Sequence, residues 1–397
     1  MDRTDEHAEA LEELLSEPVD IARERASRVL PPLDDAPLLL HGAGNIGTRV
    51  LASLRARGVR PAGFIDLAPD KHGRFVEGLP ILRPEDALTR FGLDARVLVT
   101  VLNTHHAFAA TRNAYAAMGA SHVISLLAYL WSAPDGFLPY YAMSRPEDVL
   151  AARDLVTRAL ACLREPRSRA SFVAYVRWRL RLDFDGLPSP DLVHQYFPPD
   201  LVRLGDDETF VDVGAYDGDT FRRFLELTKG RFREAHLFEP DPRNFERLLA
   251  SLPGGALGAI PAQVRLHQKA VGARSETVRF TGDGLASSAV ADDGALEVTS
   301  ASLDEVLAGC RPTFVKMDIE GAECDAIAGA ARVLSNDRPS LAICVYHRPS
   351  DPWRIVLELR ERLPDYPIHL RAHGQDGWDW VAYALAPAHR ALETANQ

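Results

Sequence analysis

The stretch "TFVDVGAYDGDTFRRF", residues 209–224, joins a short apolar run to a glycine-rich turn and then to a segment with helical periodicity. This order is typical of the first strand, turn and helix of an open α/β sheet, which binds ligands at the carboxyl ends of its strands. A second stretch of the same kind, "LLLHGAGNIGTRV", lies at residues 38–50. The two turns compete for the same chemical role, and the residues around each turn decide between them.

Short apolar runs alternate with helical stretches around both turns, which predicts βαβ units on parallel sheets. The fold class we predict is α/β, with two Rossmann-like three-layer domains. Its parts are an N-terminal helix at 1–30, a Rossmann-like domain for a nucleotide or sugar nucleotide at 31–130, a helical connector at 131–205 and a second α/β domain at 206–397. Within the last domain, residues 276–300 have the pattern of a hairpin insertion, and residues 368–385 that of a closing antiparallel pair.

The composition is that of a soluble globular protein, with 46% apolar and 25% charged residues among 397 and a formal net charge of −11. This length fits two domains of ordinary size. The acidic balance disfavours nucleic-acid binding, which needs a basic surface. No apolar run could span a bilayer, and the N-terminus lacks the basic and apolar regions of a signal peptide, so we expect a cytoplasmic protein with no membrane partner. A homodimer stays open.

The cysteines are the last compositional feature, and Cys162, Cys310, Cys324 and Cys344 are scattered along the chain. They form no CxxC pair and no cysteine–histidine spacing of a known finger type. We therefore predict neither a disulfide framework nor a zinc knuckle, and we expect buried thiols.

The turn in the first half fits the dinucleotide fingerprint GxGxxG, with an acid about 20 residues further on. Glycines let a backbone approach a pyrophosphate at a helix N-terminus, while the acid takes a ribose hydroxyl. The residues predicted to bind a nucleotide are Gly42, Gly44, Asn45, Ile46, Gly47 and Asp66. The alternative is a strand–helix packing turn without a ligand. With "AGFID" and "EGLPILRPEDAL", residues 37–128 resemble the N-terminal domain of nucleotide-sugar-dependent acyltransferases, which implies a sugar-nucleotide site or a degenerate one.

The turn in the second half differs because Asp212 lies inside the end of the strand that precedes its glycines. An acid at this position would repel a pyrophosphate and suits a cationic ligand. S-adenosylmethionine has a sulfonium cation and an ammonium group, and it has no phosphates. Gly214 and Gly218 leave room for its chain, and Glu239, at the end of the next predicted strand, can accept both ribose hydroxyls.

A third block, "VKMDIEGAE" at 315–323, places more acids at a strand end beside the same crevice. With "FVDVGAYDGDT", "LFEPDPRNFERL", "KAVG" and "SLDEVL", it resembles the FkbM family of S-adenosylmethionine-dependent methyltransferases over about residues 195–390. The resemblance implies a class I methyltransferase fold, with a mostly parallel seven-stranded sheet and a reversed last strand. It also implies O-methylation of sugars, polyketides or other small hydroxyl-bearing metabolites. Many family members have Asn-x where this chain has Tyr216-Asp217, which puts the contacts of that loop in doubt.

These motifs define the predicted site. The residues predicted to bind S-adenosylmethionine are Asp212, Gly214, Ala215, Tyr216, Gly218, Asp219, Thr220, Glu239, Pro240, Asp241 and Asp318. The residues predicted to be catalytic are His347, Asp318, Glu320 and Lys316, with Glu323 as a further candidate base or a helix N-terminal carboxylate. Asp283 and Gly284, in the predicted hairpin, are further candidates for contact with the adenine.

Methyl transfer to an alcohol needs the acceptor oxygen held behind the methyl group and a base for its proton. We predict His347 as this base, with Asp318 orienting it, because imidazole has an ordinary pKa of about 6.5 and is largely neutral in the cytoplasm. Lys316 is expected to pair with one of the acids. Asp318, Glu320 and His347 could also hold a divalent metal, but we predict a metal-free site.

The function predicted from the sequence is therefore an S-adenosylmethionine-dependent O-methyltransferase acting on a hydroxyl of a sugar, sugar nucleotide or related small metabolite. One alternative is a nucleotide-dependent oxidoreductase or epimerase that uses the Gly42-Gly44-Gly47 turn. Another is a sugar-nucleotide-binding scaffold with a vestigial second half, which we rank last because the acids of that half are intact.

Overall fold

The structure is a computed structural model and describes residues 5–33, 36–252, 261–282 and 294–389. The chain divides into two compact units. The N-terminal unit comprises Met1–Thr157, Ala170–Pro190 and Gly374–Trp378, and the C-terminal unit comprises Arg158–Arg169, Asp191–His373 and Asp379–Gln397. No helix among the described residues is long and apolar enough to cross a membrane.

The N-terminal unit is built on a mostly parallel sheet. Its strands in the described residues are β1 Leu38–His41, β2 Gly63–Ile65, β3 Phe75–Val76, β4 Leu79–Leu82, β5 Arg96–Val99 and β6 Val123–Ile124. Their order is β3-β4-β2-β1-β5-β6, and the β3–β4 pair is antiparallel while the other pairs are parallel. Every residue of β1 is buried, as expected for a central parallel strand. The α/β alternation predicted for this region is confirmed.

The N-terminal helix predicted at 1–30 is in fact two helices. The helices of this unit include α1 Glu6–Leu15, α2 Val19–Arg28, α3 Asn45–Ala56, α4 Pro84–Phe91, α5 Phe108–Ala117, α6 Leu126–Ser132 and α7 Pro146–Ala151. Pro18 precedes α2 with an extended backbone, φ −61° and ψ 141°. The proline ring disfavours helical backbone in the residue before it, so the prediction of one continuous helix is wrong at this point.

The region predicted as a helical connector, 131–205, contains the helices α8 Arg153–Cys162 and α9 Pro166–Arg181. Its residues are divided between the two units and form no unit of their own. Side chains along both helices are buried, among them Leu160, which belongs to the C-terminal unit, and Trp178, which belongs to the N-terminal unit. The boundaries predicted from helical periodicity therefore do not coincide with those of the compact units.

The C-terminal unit is built on a larger sheet. Its strands include β7 Thr209–Val213, β8 Glu234–Phe238, β9 Val264–His267, β13 Phe314–Met317, β14 Ser340–Cys344, β15 Ile368–Ala372 and β16 Trp380–Ala384. These strands form a seven-stranded sheet in the order β15-β16-β14-β13-β7-β8-β9. The last strand, β16, is antiparallel to both neighbours, while the pairs from β14 to β9 are parallel. The predicted mostly parallel sheet with a reversed last strand is confirmed.

Strand β7 lies at the centre of this sheet, between β13 and β8, and every one of its residues is buried. Phe210 stacks on Phe224 of the following helix, with ring centroids 4.4 Å apart, and Phe314 of β13 packs beside them. This aromatic core fixes the strand, and the sheet order brings the carboxyl ends of β7, β8, β13 and β14 to one edge.

The unit also contains helices that flank the large sheet, and a small second sheet. The helices are α10 Asp219–Thr228, α11 Pro242–Ser251, α12 Leu303–Val306, α13 Glu323–Ala328 and α14 Asp351–Arg362. The small sheet has the order β10-β12-β11, with β10 Ala270–Val271, β11 Glu276–Phe280 and β12 Leu296–Ala301. The β11–β12 pair is antiparallel, so the predicted hairpin is confirmed, whereas Asp283 and Gly284 lie outside the described residues.

Candidate active site

The turn after β7 requires glycine because the chain packs directly against the end of β13. Gly214 has φ +84°, and a Cβ atom there would lie 1.9 Å from the backbone oxygen of Asp318. Gly218 has φ +85° and immediately precedes α10. Ala215, between them, is fully buried, and Tyr216 also has a positive φ of 48°. The predicted donor turn is therefore in contact with the predicted catalytic strand end.

Glu239, after β8, is bound to the same turn. One carboxylate oxygen accepts a hydrogen bond from the Tyr216 backbone N–H, at 2.9 Å, and the other accepts one from the Asp241 N–H, also at 2.9 Å. Burial raises the pKa of the Glu239 carboxyl to about 7, against the lowering effect of these two hydrogen bonds. The two oxygens are thus held in place at the strand end by main-chain donors.

Two of the other acids predicted to bind the donor make local helix contacts. Asp241 is fully buried and caps α11, because its side chain accepts hydrogen bonds from the backbone N–H groups of Arg243 and Asn244. Asp219 lies in the first turn of α10 and accepts a hydrogen bond from the Thr220 N–H at 2.7 Å. Pro240 links Glu239 to the α11 cap, so all these residues lie on the two strand-to-helix connections.

The sequence predicts that Asp212 faces a cationic ligand, but in the structure a side chain of the protein itself supplies a cation beside it. It pairs with Lys316 in the register of β7 and β13, and the Lys316 Nζ lies 3.0 Å from Asp212 Oδ1. Lys316 also donates a hydrogen bond to the Gly214 carbonyl at 2.6 Å. Burial raises the pKa of the Asp212 carboxyl to about 6 although Lys316 opposes the shift. In the described part of the chain, Asp212 Oδ2 has no hydrogen-bond partner.

His347, after β14, is surrounded by carboxylates. Its Nδ1 lies 2.8 Å from Glu323 Oε1, and its Nε2 lies 3.1 Å from Asp318 Oδ1 and 3.7 Å from Glu320 Oε1. Burial acts to lower the pKa of His347, but the charges and hydrogen bonds of these acids outweigh it and raise the pKa well above its usual value. The surrounding acids therefore favour the doubly protonated ring, whereas the ordinary imidazole pKa alone predicts a largely neutral one.

Asp318 is held from two sides. Its Oδ2 accepts a hydrogen bond from the Tyr196 hydroxyl at 2.7 Å, and its Oδ1 faces His347. Burial tends to raise the pKa of the Asp318 carboxyl, but His347, Lys316 and Tyr196 together hold it well below the usual range. Tyr196 was not predicted from the sequence, because it lies in an irregular loop 122 residues before Asp318.

An open cleft adjoins this carboxylate–histidine cluster and has a volume of about 360 Å³. The small sheet β10-β12-β11 forms one wall, and the segment after β13 forms another. The charged residues that line the cleft are Arg274, Glu276, Glu320, Asp325 and Arg348. Glu320 belongs both to the cleft and to the cluster, so the cluster lies between the donor turn and an open space large enough for a small molecule.

The cluster could also hold a cation other than a proton. Asp318, Glu320 and His347 each offer one ligand atom, and these atoms lie within 4.8 Å of one another. Glu323, on the opposite nitrogen of the imidazole, would then orient the ring. A protonated imidazole between carboxylates and a metal between the same groups are both compatible with this arrangement.

The N-terminal glycine turn is also close-packed. A Cβ atom on Gly47 would lie 2.0 Å from the Gly42 carbonyl oxygen, whereas one on Gly44 would meet no described atom within 4 Å. Asn45 and Ile46 start α3 directly after Gly44. The carboxylate of Asp66 accepts hydrogen bonds from the N–H groups of Ala43 and Ala68 and from Lys71 Nζ, at 2.8–3.0 Å. The acid predicted to bind ribose thus holds the turn, and nucleotide binding here stays a prediction.

Comparison with known proteins finds methyltransferases similar to the C-terminal half of the chain. Residues 212–374 match the model of the methyltransferase FkbM domain. The 2-O-methyltransferase NoeI of Sinorhizobium fredii (strain NBRC 101917 / NGR234) is 29% identical over 194 residues, which cover 41% of this chain and 73% of that protein. The crystal structure of methyltransferase FkbM from Methylobacillus flagellatus KT superimposes with a TM-score of 0.74 at 22% identity, covering 96% of this chain and 98% of that chain. The likeness to the crystal structure shows a shared fold.

Proposed function

We propose that this chain, a methyltransferase whose residues 212–374 match the FkbM domain, takes its methyl group from S-adenosylmethionine. The acceptor is a hydroxyl of a sugar or a related small metabolite. The observation that carries the proposal is the position of the carboxylate–histidine cluster. The backbone of Asp318 touches the Gly214 turn on one side, and Glu320 lines the open cleft on the other. A donor at the turn and an acceptor in the cleft would meet at this cluster.

The residues at the turn fit S-adenosylmethionine, whose sulfonium makes the methyl group electrophilic. A buried carboxylate oxygen without a partner, Asp212 Oδ2, offers an acceptor to a cationic ligand. The oxygens of Glu239 each accept one main-chain hydrogen bond, and a carboxylate oxygen has capacity for a second. This leaves Glu239 able to accept ribose hydroxyls. Gly214 and Gly218 keep the backbone of the turn free of side chains.

The cleft suits an acceptor rich in hydroxyl groups. Its charged lining mixes two arginines with three carboxylates, and it therefore lacks the single-sign charge that would select a strongly anionic or cationic molecule. Carboxylates accept and guanidinium groups donate hydrogen bonds, so the lining can satisfy several sugar hydroxyls at once. The name of the related NoeI, a 2-O-methyltransferase, supports oxygen as the methyl acceptor.

His347 is the group that we propose accepts the proton from the hydroxyl. Glu323 accepts from Nδ1, which leaves Nε2 as the atom that faces Asp318 and Glu320. The imidazole must lose one proton before it can act as a base. A bound sulfonium cation close to the cluster would favour that loss, because a nearby positive charge lowers the pKa of a histidine.

The first prediction concerns the donor site and uses Glu239→Gln. An amide has one acceptor oxygen, so only one of the Tyr216 and Asp241 N–H groups stays satisfied, and the charge that attracts ribose hydroxyls is lost. We expect S-adenosylhomocysteine to bind about 10- to 100-fold more weakly in titration calorimetry. Glu226→Gln is the matched control, because Glu226 is exposed on α10 and pairs with the nearby Arg223. Absence of binding to the unmodified protein would refute the donor assignment, and unchanged affinity in Glu239→Gln would remove Glu239 from the site.

The second prediction concerns pH. Because the acids raise the pKa of His347, its basic form accumulates only above the ordinary imidazole range, and kcat should still be rising with pH above about 7. Glu323→Gln removes one of the acids that raise this pKa, so the rising limb should move to lower pH. The measurement is a kcat–pH profile of both proteins at saturating donor. A flat profile between pH 6 and 9, or a limb that Glu323→Gln leaves in place, would argue against His347 as the proton acceptor.

A further inference from the structure

A second cluster of potential metal ligands lies at the amino ends of the parallel strands, opposite to the strand ends that carry the donor turn. Glu234 and His236 occupy positions i and i+2 of β8, so their side chains project from the same face of the strand. Cys310 approaches them from the segment before β13. One ligand atom of each residue lies within 4.8 Å of the others. Glu234 and Glu239 are separated by about five residues of strand, or roughly 16 Å, so this cluster is remote from the donor turn.

The buried histidine of this cluster is oriented like a metal ligand. His236 is 3% exposed, and its Nδ1 lies 3.1 Å from Nε2 of His267. Its Nε2 makes no hydrogen bond to any described residue and lies 3.5 Å from Glu234 Oε1. The tautomer of His236 decides what Glu234 meets. With its proton on Nε2 the ring directs a donor towards the carboxylate, whereas with its proton on Nδ1 the Nε2 lone pair faces the carboxylate, and a cation between the two groups would stabilise that second form.

The neighbouring ring fixes this orientation. His267 stacks on His236 at an interplanar angle of 3° and on Phe238 at a centroid distance of 4.4 Å. A metal-binding histidine ordinarily donates its other N–H to a fixed acceptor, which sets the tautomer and the ring plane. His267 Nε2 offers that acceptor when His236 carries its proton on Nδ1. The nitrogen aimed at Glu234 is thereby prearranged before any ion arrives.

The ligand types select the ion. Thiolate sulfur, imidazole nitrogen and carboxylate oxygen together are a donor set that zinc accepts, whereas magnesium and calcium prefer oxygen ligands. The site has no CxxC or histidine–cysteine spacing by which the sequence could reveal it. Two of its ligands come from one strand, and the third lies 74 residues after His236 along the chain. Arg265 Nε, 3.4 Å from Glu234 Oε1, partly compensates this carboxylate when no ion is bound.

We propose that Glu234, His236 and Cys310 bind a zinc ion, with the fourth position open to water. The ion would link β8 to the segment that leads into β13, at the amino ends of these two strands. Its role is structural, because the site is remote from the donor turn and from the cleft. This proposal stands independently of the methyl-transfer function.

The test uses the full-length, tag-free protein and cobalt as a spectroscopic probe for zinc. Titration with Co²⁺ should give a cobalt–thiolate charge-transfer band that saturates at one ion per chain, and zinc should displace it. Cys310→Ser should abolish the band and Glu234→Gln should weaken cobalt binding. Cys162→Ser should leave the band unchanged, because the Cys162 thiol bonds locally to the Arg158 carbonyl. Zinc should raise the Tm of the unmodified protein by a few degrees and should not raise that of Cys310→Ser.

Three results would overturn the site. They are absence of a thiolate band, a band that persists in Cys310→Ser, and a band that disappears in Cys162→Ser. Cys310 is half-buried, so its replacement by serine should leave the protein folded. Methyl transfer in Cys310→Ser should match the unmodified protein when both are assayed without added metal, and a large loss there would contradict a purely structural role.

Discussion

Gly214→Ala is expected to abolish donor binding and to lower methyl-transfer activity by at least about 100-fold. The new Cβ atom would lie 1.9 Å from the backbone oxygen of Asp318, and neither backbone can yield without moving a central strand of the sheet. Displacement by about 1 Å of groups that position a reaction can cost two orders of magnitude in rate. Titration calorimetry with S-adenosylhomocysteine and a methyl-transfer assay would measure both effects.

Two further glycines make this a graded series. Gly218→Ala would place its Cβ 2.9 Å from the ends of the Leu248 and Ser251 side chains, which can shift, so we expect an intermediate loss. Gly230→Ala shares the positive φ, at +69°, but meets no described atom within 4 Å, so it controls for backbone strain alone. Circular-dichroism melts of all three variants would separate unfolding from loss of binding. Donor affinity in Gly214→Ala equal to that in Gly230→Ala would show that the turn does not hold the donor.

The sheet and its ligand edge could be predicted because their signals are local. Apolar runs that end in an acid or a glycine mark the carboxyl ends of β7, β8 and β13, and parallel strands gather those ends at one edge. The reversed last strand followed from the resemblance to the family and from the pattern at 368–385. The helix at 1–30 was mispredicted because its apolar periodicity continues across Pro18 although the backbone cannot.

The contacts within the site could be predicted only in part, because they depend on register and on loops. The pairing of Asp212 with Lys316 follows from the β7–β13 register, which places the two residues side by side. Hydrophobic periodicity does not determine that register. Tyr196 is a partner of Asp318 that only the folded loop reveals. Glu323 was weighed as a helix N-terminal acid and is the first residue of α13, but its burial and its hydrogen bond from His347 could not be read from the sequence.

These contacts also change how the site should be tested. Replacement of Asp212 by alanine would leave Lys316 as a buried cation without its ion pair. Such a variant would lose stability whether or not the donor binds. Asp212→Asn keeps the shape and an acceptor oxygen, so its effect on donor affinity is easier to interpret.

His347→Gln is expected to lower kcat by about 10²- to 10⁴-fold while leaving the affinity for S-adenosylhomocysteine nearly unchanged. Glutamine can still donate an N–H group to Glu323, whose carboxylate is buried and also accepts the Ile319 N–H, but it cannot accept a proton at neutral pH. His347→Ala removes the donor as well. Both variants lose the imidazolium, but alanine also leaves the buried Glu323 carboxylate with the Ile319 N–H as its remaining donor in the described residues, and it should cost about 3–5 kcal/mol of folding stability.

The comparison of these two His347 variants separates catalysis from stability, because both lack the base and only alanine removes the side-chain donor that residue 347 offers to Glu323. Equal losses of kcat with unequal Tm values are the expected result, and the rising limb of the kcat–pH profile should vanish in both. Full activity in His347→Gln would shift the role of base to Asp318 or Glu320. We also expect Mg²⁺, Mn²⁺ and EDTA to leave the rate of the unmodified enzyme unchanged. Loss of activity with EDTA and its recovery with either ion would instead make His347 a metal ligand, with Asp318 and Glu320 completing the site.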